Sequence, residues 1–320
     1  MVKRGLGTLV SMGWKTAQKK DKVKKNIKLA LIVLGLILGL ILTGNIISLT
    51  NTLFSPRVTS SRNYTWNKSF NLNLLVKKES SIFVLVFNPT ESKLSIVTIP
   101  DQTLVWVSEG FGSWQIRAVY DLAGIDVLKQ TVSTFLGLPV DGFLELDSDI
   151  KLGKDFLNLF NLSSLKTDLT PFELLSLKMG LSSVRFDKVE EIDLTDVLDQ
   201  TKLADGTEVF SADPVRVDSI VSSLSDPTLK QENKSIAIFN GTNKLGLAQS
   251  VARMVSNMGG DVIITSNTEN FKKTQVVGEQ SQTLRRLKQI LDKCKEEEEG
   301  CGKIAEYEGR AQINIILGED

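Results

Sequence analysis

The sequence contains no histidine. That absence removes Ser-His-Asp and Cys-His catalysis, the HExxH zinc proteases and every His-ligated metal site. Cysteine is almost missing as well. Cys294 and Cys301 are the only two, which cannot build a four-cysteine zinc site or a disulfide-dense scaffold. No GxGxxG fingerprint occurs. Any chemistry must rest on carboxylates, Lys/Arg, hydroxyls or backbone amides. What is present is ordinary globular material: 320 residues, 42% hydrophobic and 24% charged, enough for roughly two domains.

Net charge is zero, yet its distribution is uneven. Residues 1–28 hold nine basic side chains and one acid, so the remainder of the chain carries a net charge of −8. Directly behind this basic arm, Leu29 to Leu49 reads LALIVLGLILGLILTGNIISL, without a charge until Arg57. A helix needs roughly 20 such residues to cross a hydrocarbon core of about 30 Å. The run is too long for the apolar part of a cleaved signal peptide, and no Ala-x-Ala site follows it. It reads as a transmembrane helix in contact with the lipid bilayer. The lysines place the N-terminus in the cytoplasm and the later domains outside it. The basic arm is explained by anionic lipid headgroups, and no nucleic acid is expected.

The expected order outside the membrane is mixed α/β. Residues 50–70 form a Ser/Thr/Asn-rich stalk. Ile82–Phe87, Leu94–Ile99, Leu104–Val107 and Phe143–Leu146 are strands, the first a continuous apolar run of the buried kind. Asp126–Leu136 is amphipathic and stops at Gly137. Thr170-Pro171-Phe172-Glu173 is a capping box opening a helix, and Asp213-Pro214 opens another. These elements give a first domain over residues 71–225. A polar linker, 226–233, leads to a second unit, 234–320. Its order is β-α-β-β-α-β: strand Ser235–Phe239, helix Leu245–Met258, strands Val262–Thr265 and Thr274–Val277, helix Gln282–Lys293 and strand Ile313–Leu317.

Asn240-Gly241-Thr242, at the first strand-to-helix turn of that unit, has the glycine of a phosphate loop. It lacks the Lys-Ser/Thr that a Walker loop places after its second glycine, because Leu247 and Ala248 follow Gly246. A structural turn is expected. Cys294 and Cys301 bracket an acidic run. They are spaced so that an oxidising compartment permits a disulfide, and a solvated loop with two thiols is the alternative. Asp101, Glu109, Asp121, Asp126, Glu145 and Asp147 show no spacing that demands an acid/base pair or a metal, so no metal and no cofactor is assigned.

Ser81–Pro100 (SIFVLVFNPTESKLSIVTIP), Trp114–Gly124 (WQIRAVYDLAG) and Leu136–Asp147 (LGLPVDGFLELD) together resemble the LytR-CpsA-Psr family. Lys234–Val277 and the tail Ala311–Asp320 (AQINIILGED) resemble the LytR C-terminal domain. The resemblance implies a cell-envelope role, joining glycopolymers from polyprenyl-diphosphate carriers to the cell wall. It also implies arginines that grip the diphosphate and an acid that places Mg²⁺. This chain departs from that pattern. Where the family has Pro-Arg-Asp-Thr it reads Pro100-Asp101-Gln102-Thr103, and Ser80 stands where a metal-ligating Asp is expected. The later arginine-rich segment has no counterpart, and only Arg117 falls near the cleft. The expectation is a binding or scaffolding pseudoenzyme without catalytic residues, whose ligand contacts are Arg117, Lys77, Lys78 and Asp101 and whose partner is a polyprenyl-linked glycan or other cell-wall component. Two alternatives stand beside it. One is a divergent transferase using Arg117, Lys77 and Lys78 for phosphate and Asp101 or Asp121 for metal. The other is a regulator acting through the basic arm.

Overall fold

The computed structural model describes residues 33–35, 64–146, 166–294, 301 and 310–319. Ser55–Asp320 form one compact unit. Of the other unit, Met1–Phe54, the three described residues are helical. Among the described residues no helix is long and apolar enough to cross a membrane. The span expected at 29–49 lies, but for those three residues, outside them.

A six-stranded sheet forms the first layer. Its strands are β1 (Leu72–Lys78), β2 (Ser81–Asn88), β3 (Lys93–Ile99), β6 (Gly142–Leu146), β7 (Lys166–Thr167) and β8 (Val189–Asp193), in the order β7-β6-β1-β2-β3-β8. β1, β2 and β3 make an antiparallel meander, while β6 joins β1 and β8 joins β3 in parallel. Both faces of this sheet are covered, which is why β2 reads as an unbroken apolar run instead of an alternating one. Leu75, Val84, Val86, Val97 and Ile99 pack on one side against α1 (Ile116–Leu136) and α3 (Pro214–Val221). Leu72, Leu74, Leu85, Phe87 and Ile96 pack on the other against α2 (Pro171–Ser182).

Local signals act where the sequence places them. Val127, Leu128, Val132 and Leu136 are the buried stripe of α1, and Gly137 ends it in the left-handed region at φ 64°. The helix begins ten residues earlier than periodicity suggested, and Gly124 at φ 81° breaks it between its two halves. Thr170 and Glu173 form the reciprocal capping box of α2. Gly180 of α2 rests on the Phe87 ring, where an added Cβ would meet Cζ at 2.6 Å.

Two small ribbons complete this half: β4 (Leu104–Val107) with β5 (Gly112–Gln115), and β9 (Leu198–Lys202) with β10 (Glu208–Ala212). The C-terminal half has a four-stranded sheet, β12-β11-β14-β13, from β11 (Ser235–Asn240), β12 (Asp261–Asn267), β13 (Gln275–Gly278) and β14 (Ile313–Leu317). The helices α5 (Leu247–Asn257) and α6 (Gln282–Leu291) lie between its strands in sequence, in the expected order.

The segment expected as a linker is instead a helix, α4 (Pro227–Glu232), capped by the Asp226 side chain. The end of the expected stalk is also part of the fold. Trp66 and Phe70 are buried in two different cores, and the Trp66 amide donates to Glu173 at 2.5 Å. Asn71, just after, donates its amide to Asp226 at 2.6 Å. The two halves share core as well, since Met258 and Leu229 belong to the same cluster as α1 and α3.

Candidate functional site

The residues singled out from the sequence gather at one end of the six-stranded sheet. Lys77 and Lys78 close β1, and Glu79-Ser80 forms a two-residue turn into β2, with Glu79 at φ 53°. Asp101 follows β3 across a Pro100 carbonyl turn, and Arg117 opens α1. The Asp101 carboxylate accepts hydrogen bonds from Ser81 Oγ at 3.1 Å and Ser80 Oγ at 3.5 Å. The Asp101 carbonyl in turn accepts from the Arg117 amide at 3.4 Å. The Arg117 side chain is exposed, with its Nε donating to Gln115 Oε1 at 2.9 Å. Asp121 lies one helical turn further on and is exposed.

Lys77 is less free than its position suggests. Its ammonium lies 3.3 Å from Glu145 Oε1 and 4.8 Å from the Tyr120 ring centroid, while Lys166 takes the other Glu145 oxygen at 3.3 Å. Tyr120 stacks on Phe143. The floor of this end is therefore a Lys-Glu-Lys group over aromatic rings, in which Glu145 offsets one of the two positive charges. Sequence reasoning found Lys77 and missed that partner, because pairing residues 77 and 145 requires the parallel register of β1 with β6.

A divalent metal of the Mg²⁺ type needs several oxygen ligands, usually including one or two free carboxylates. Among the described residues Glu145 is held by two lysines, Asp101 is left as a single carboxylate bonded to serine hydroxyls, and no three acidic side chains converge. This donor set does not fit the metal. At the same end Asp101 is a carboxylate where a phosphate-gripping cation was expected, and Lys77 is paired with Glu145.

The turn at Asn240–Thr242 is built for packing. Asn240 Oδ1 accepts from the Thr242 amide at 3.1 Å and its hydroxyl at 2.8 Å, and Asn240 Nδ2 donates to the Lys244 carbonyl at 2.9 Å. The Gly241 amide is spent on the Leu317 carbonyl at 3.0 Å. A Cβ there would meet that carbonyl at 2.7 Å and the Glu269 carbonyl at 2.9 Å, so the glycine serves close strand approach and has no amide to offer a phosphate. Cys294 and Cys301 form a disulfide with a Cα separation of 5.8 Å.

The most enclosed electrostatic group lies elsewhere, at the seam between the two halves, and no sequence motif announces it. Arg286 of α6 donates to both Asp141 carboxylate oxygens at 2.9 Å, and both side chains are buried. The Tyr64 hydroxyl donates to the same carboxylate, as does the Asn73 amide at 2.9 Å. Tyr64 and Phe70 flank the guanidinium. Burial pushes the Tyr64 hydroxyl well above its usual range, with the Asp141 charge adding to the effect. Burial works against the Arg286 charge, but the Asp141 carboxylate more than offsets it and leaves the guanidinium firmly protonated.

At the other end of β2 from Ser81, a cavity of about 310 Å³ opens between the β2–β3 turn and the start of α4, lined by Asn71, Asn88, Lys93 and Lys230 among others. It is well separated along the sheet from Asp101, since Asn88 and Ser81 terminate the same eight-residue strand.

Residues 75–149 match the LytR_cpsA_psr family, and residues 233–320 match the family described as LytR cell envelope-related transcriptional attenuator. Among solved structures the chain is similar to TagT of B. subtilis, at 15% identity over 52% of this chain and 98% of that one, with a TM-score of 0.43. It is also similar to TagV of B. subtilis, at 14% identity over 50% and 97% of the two chains, with a TM-score of 0.41. A TagT structure described as having bound octaprenyl pyrophosphate lipid matches at 15% identity over 51% and 92%, with a TM-score of 0.41. No curated protein matches.

Proposed function

From a chain that carries a LytR-CpsA-Psr-like domain followed by a LytR C-terminal domain, we propose a membrane-anchored, extracytoplasmic protein of the cell envelope that binds or scaffolds without transferring a glycopolymer. The family resemblance supports the envelope setting, and the basic arm with its uncharged 21-residue run supports the anchor, N-terminus inside. The observation that carries the non-catalytic reading is Asp101. Departure of a diphosphate depends on preorganised cations, each often worth roughly 10²-fold or more in rate. At this position the chain places a carboxylate bonded to two serine hydroxyls, and Lys77 at the same end of the sheet is already paired with Glu145. A polyprenyl-linked glycan or another cell-wall component is the partner this reading favours, with the exposed Arg117 and the half-buried Lys78 as its contacts.

The test is turnover of a polyprenyl-diphosphate-linked glycan by the full chain in bilayer nanodiscs with Mg²⁺. No release of polyprenyl phosphate is expected, while native mass spectrometry should detect lipid that copurifies with the protein. Mg²⁺-dependent release abolished by Arg117→Ala would establish the transferase alternative. Loss of phenotype on replacing residues 1–28 with the domains intact would favour the regulator.

A further inference from the structure

The β4–β5 ribbon presents aromatic surface that no part of the fold uses. Val105 and Val107 bury one face of the ribbon in the core beneath α1, and the Ile116 amide donates to the Thr103 carbonyl at 2.8 Å, so its base is fixed. Beyond that base Trp106 is 72% exposed, Trp114 44% and Phe111 41%. The register pairs Trp106 with Ser113 and Trp114 with Val105, so Trp106 stands on the free face of the ribbon, while Trp114 shares the core-facing side with Val105 and is only partly uncovered there, and Phe111 sits in the connecting turn. Trp106 on the free face, with Phe111 at the tip and the uncovered edge of Trp114 beside it, makes a projecting aromatic rim suited to entering a soft medium.

We propose that this ribbon dips into the headgroup layer of the bilayer that holds the anchor. The proposal rests on the membrane anchor of the preceding section. Only residues 50–63 separate the apolar run from Tyr64, a tether of at most about 50 Å when fully extended, so the folded part cannot leave the vicinity of the bilayer. The side-chain chemistry fits that depth. Tryptophan concentrates at the membrane–water interface, where an apolar ring and a polar N–H are both satisfied. Trp114 already donates its indole N–H to the Phe111 carbonyl at 2.8 Å, so that donor is satisfied without water, and the Trp106 N–H is left for headgroup oxygens. Glu109 in the turn keeps the tip at headgroup level and predicts contact with neutral lipid, without dependence on anionic lipid or salt. Because Asp101 precedes the ribbon and Arg117 follows it, insertion turns that end of the sheet toward the membrane surface.

The experiment uses the full chain with Trp14→Phe in nanodiscs whose lipids are brominated near the headgroup. Buried Trp66 then serves as the unquenched reference. Emission should fall relative to unbrominated discs, and Trp106→Phe with Trp114→Phe should remove that loss while leaving Trp66 emission in place. Incorporation into discs without quenching would overturn the ribbon's role and leave the anchor standing. Failure to enter discs at all would overturn both, since the short tether is then lost. Shielding of the two indoles by a second copy, seen as two chains per disc that become one in the double variant, would also overturn it.

Discussion

Substituting Arg286→Met removes the cation from the seam cluster and leaves everything else in place. Asp141 would keep the Asn73 amide and the Tyr64 hydroxyl, but its carboxylate, fully buried, would lose the Arg286 guanidinium that donates to both of its oxygens. Breaking a buried pair from one side costs about 3–5 kcal/mol, because the partner's desolvation is no longer offset. Loss of the guanidinium's packing on Tyr64 and Phe70 comes in addition. Set against a total stability of about 5–15 kcal/mol, this is a large fraction. The double variant Arg286→Met with Asp141→Leu should regain part of the loss. It leaves no lone charge, though the Asn73 amide then lacks an acceptor at a cost of about 1–3 kcal/mol. Arg253 offers the contrast. It pairs with Asp218 at 2.8 Å where both side chains are partly exposed, and donates to the Thr134 and Phe135 carbonyls at the end of α1. Arg253→Met should cost roughly 1–2 kcal/mol. Urea unfolding of the full chain in detergent, followed by tryptophan emission and circular dichroism, measures all three. A loss below about 1 kcal/mol for Arg286→Met, or a double variant weaker than the single, would refute the reasoning.

Four further outcomes are expected. Glu232 caps the start of α6 by accepting from the Gln282 and Thr283 amides and the Thr283 hydroxyl. Burial alone would raise its pKa, but those hydrogen bonds hold it below its ordinary 4.5. Its contribution is therefore complete above that value and lost as pH falls through the lower folded value, so Glu232→Gln should flatten the acid limb of the stability curve. Thr170→Ala should cost about 1 kcal/mol by removing the cap of α2, read from the unfolding midpoint. Gly180→Val should cost at least about 1–3 kcal/mol by forcing Phe87 off its site, again by unfolding. Protease added outside intact cells should remove residues 71–320, and their protection would reverse the topology.

Much of the fold was legible because its signals are local. The capping box at Thr170, the Gly137 stop and the terminal strand Ile313–Leu317 sit where sequence placed them. The β9–β10 ribbon escaped notice because Leu198–Lys202 has one buried residue followed by four exposed ones, and so lacks an apolar period. Residues 227–232 looked like a linker because their polarity hides a single anchor, Leu229, which is fully buried. At the candidate site the substitution of Asp101 was visible in the sequence. The pairing of Lys77 with Glu145, sixty-eight positions away, was not. Long-range pairing also explains why Tyr64, Asp141 and Arg286 carried no warning: each is unremarkable among its own neighbours in the chain.

Residues 64–71 run through the protein like a drawn thread. The Trp66 amide is tied to Glu173 on α2, the Asn71 amide to Asp226 at the cap of α4, and Tyr64 to the carboxylate that also holds α6. A mechanical load arriving from the N-terminal side of Tyr64 meets these ties before it reaches β1. The ties belong to both halves, so the load is divided between them and resisted in parallel. Tension on that segment would thus be taken by these ties first, ahead of the six-stranded sheet.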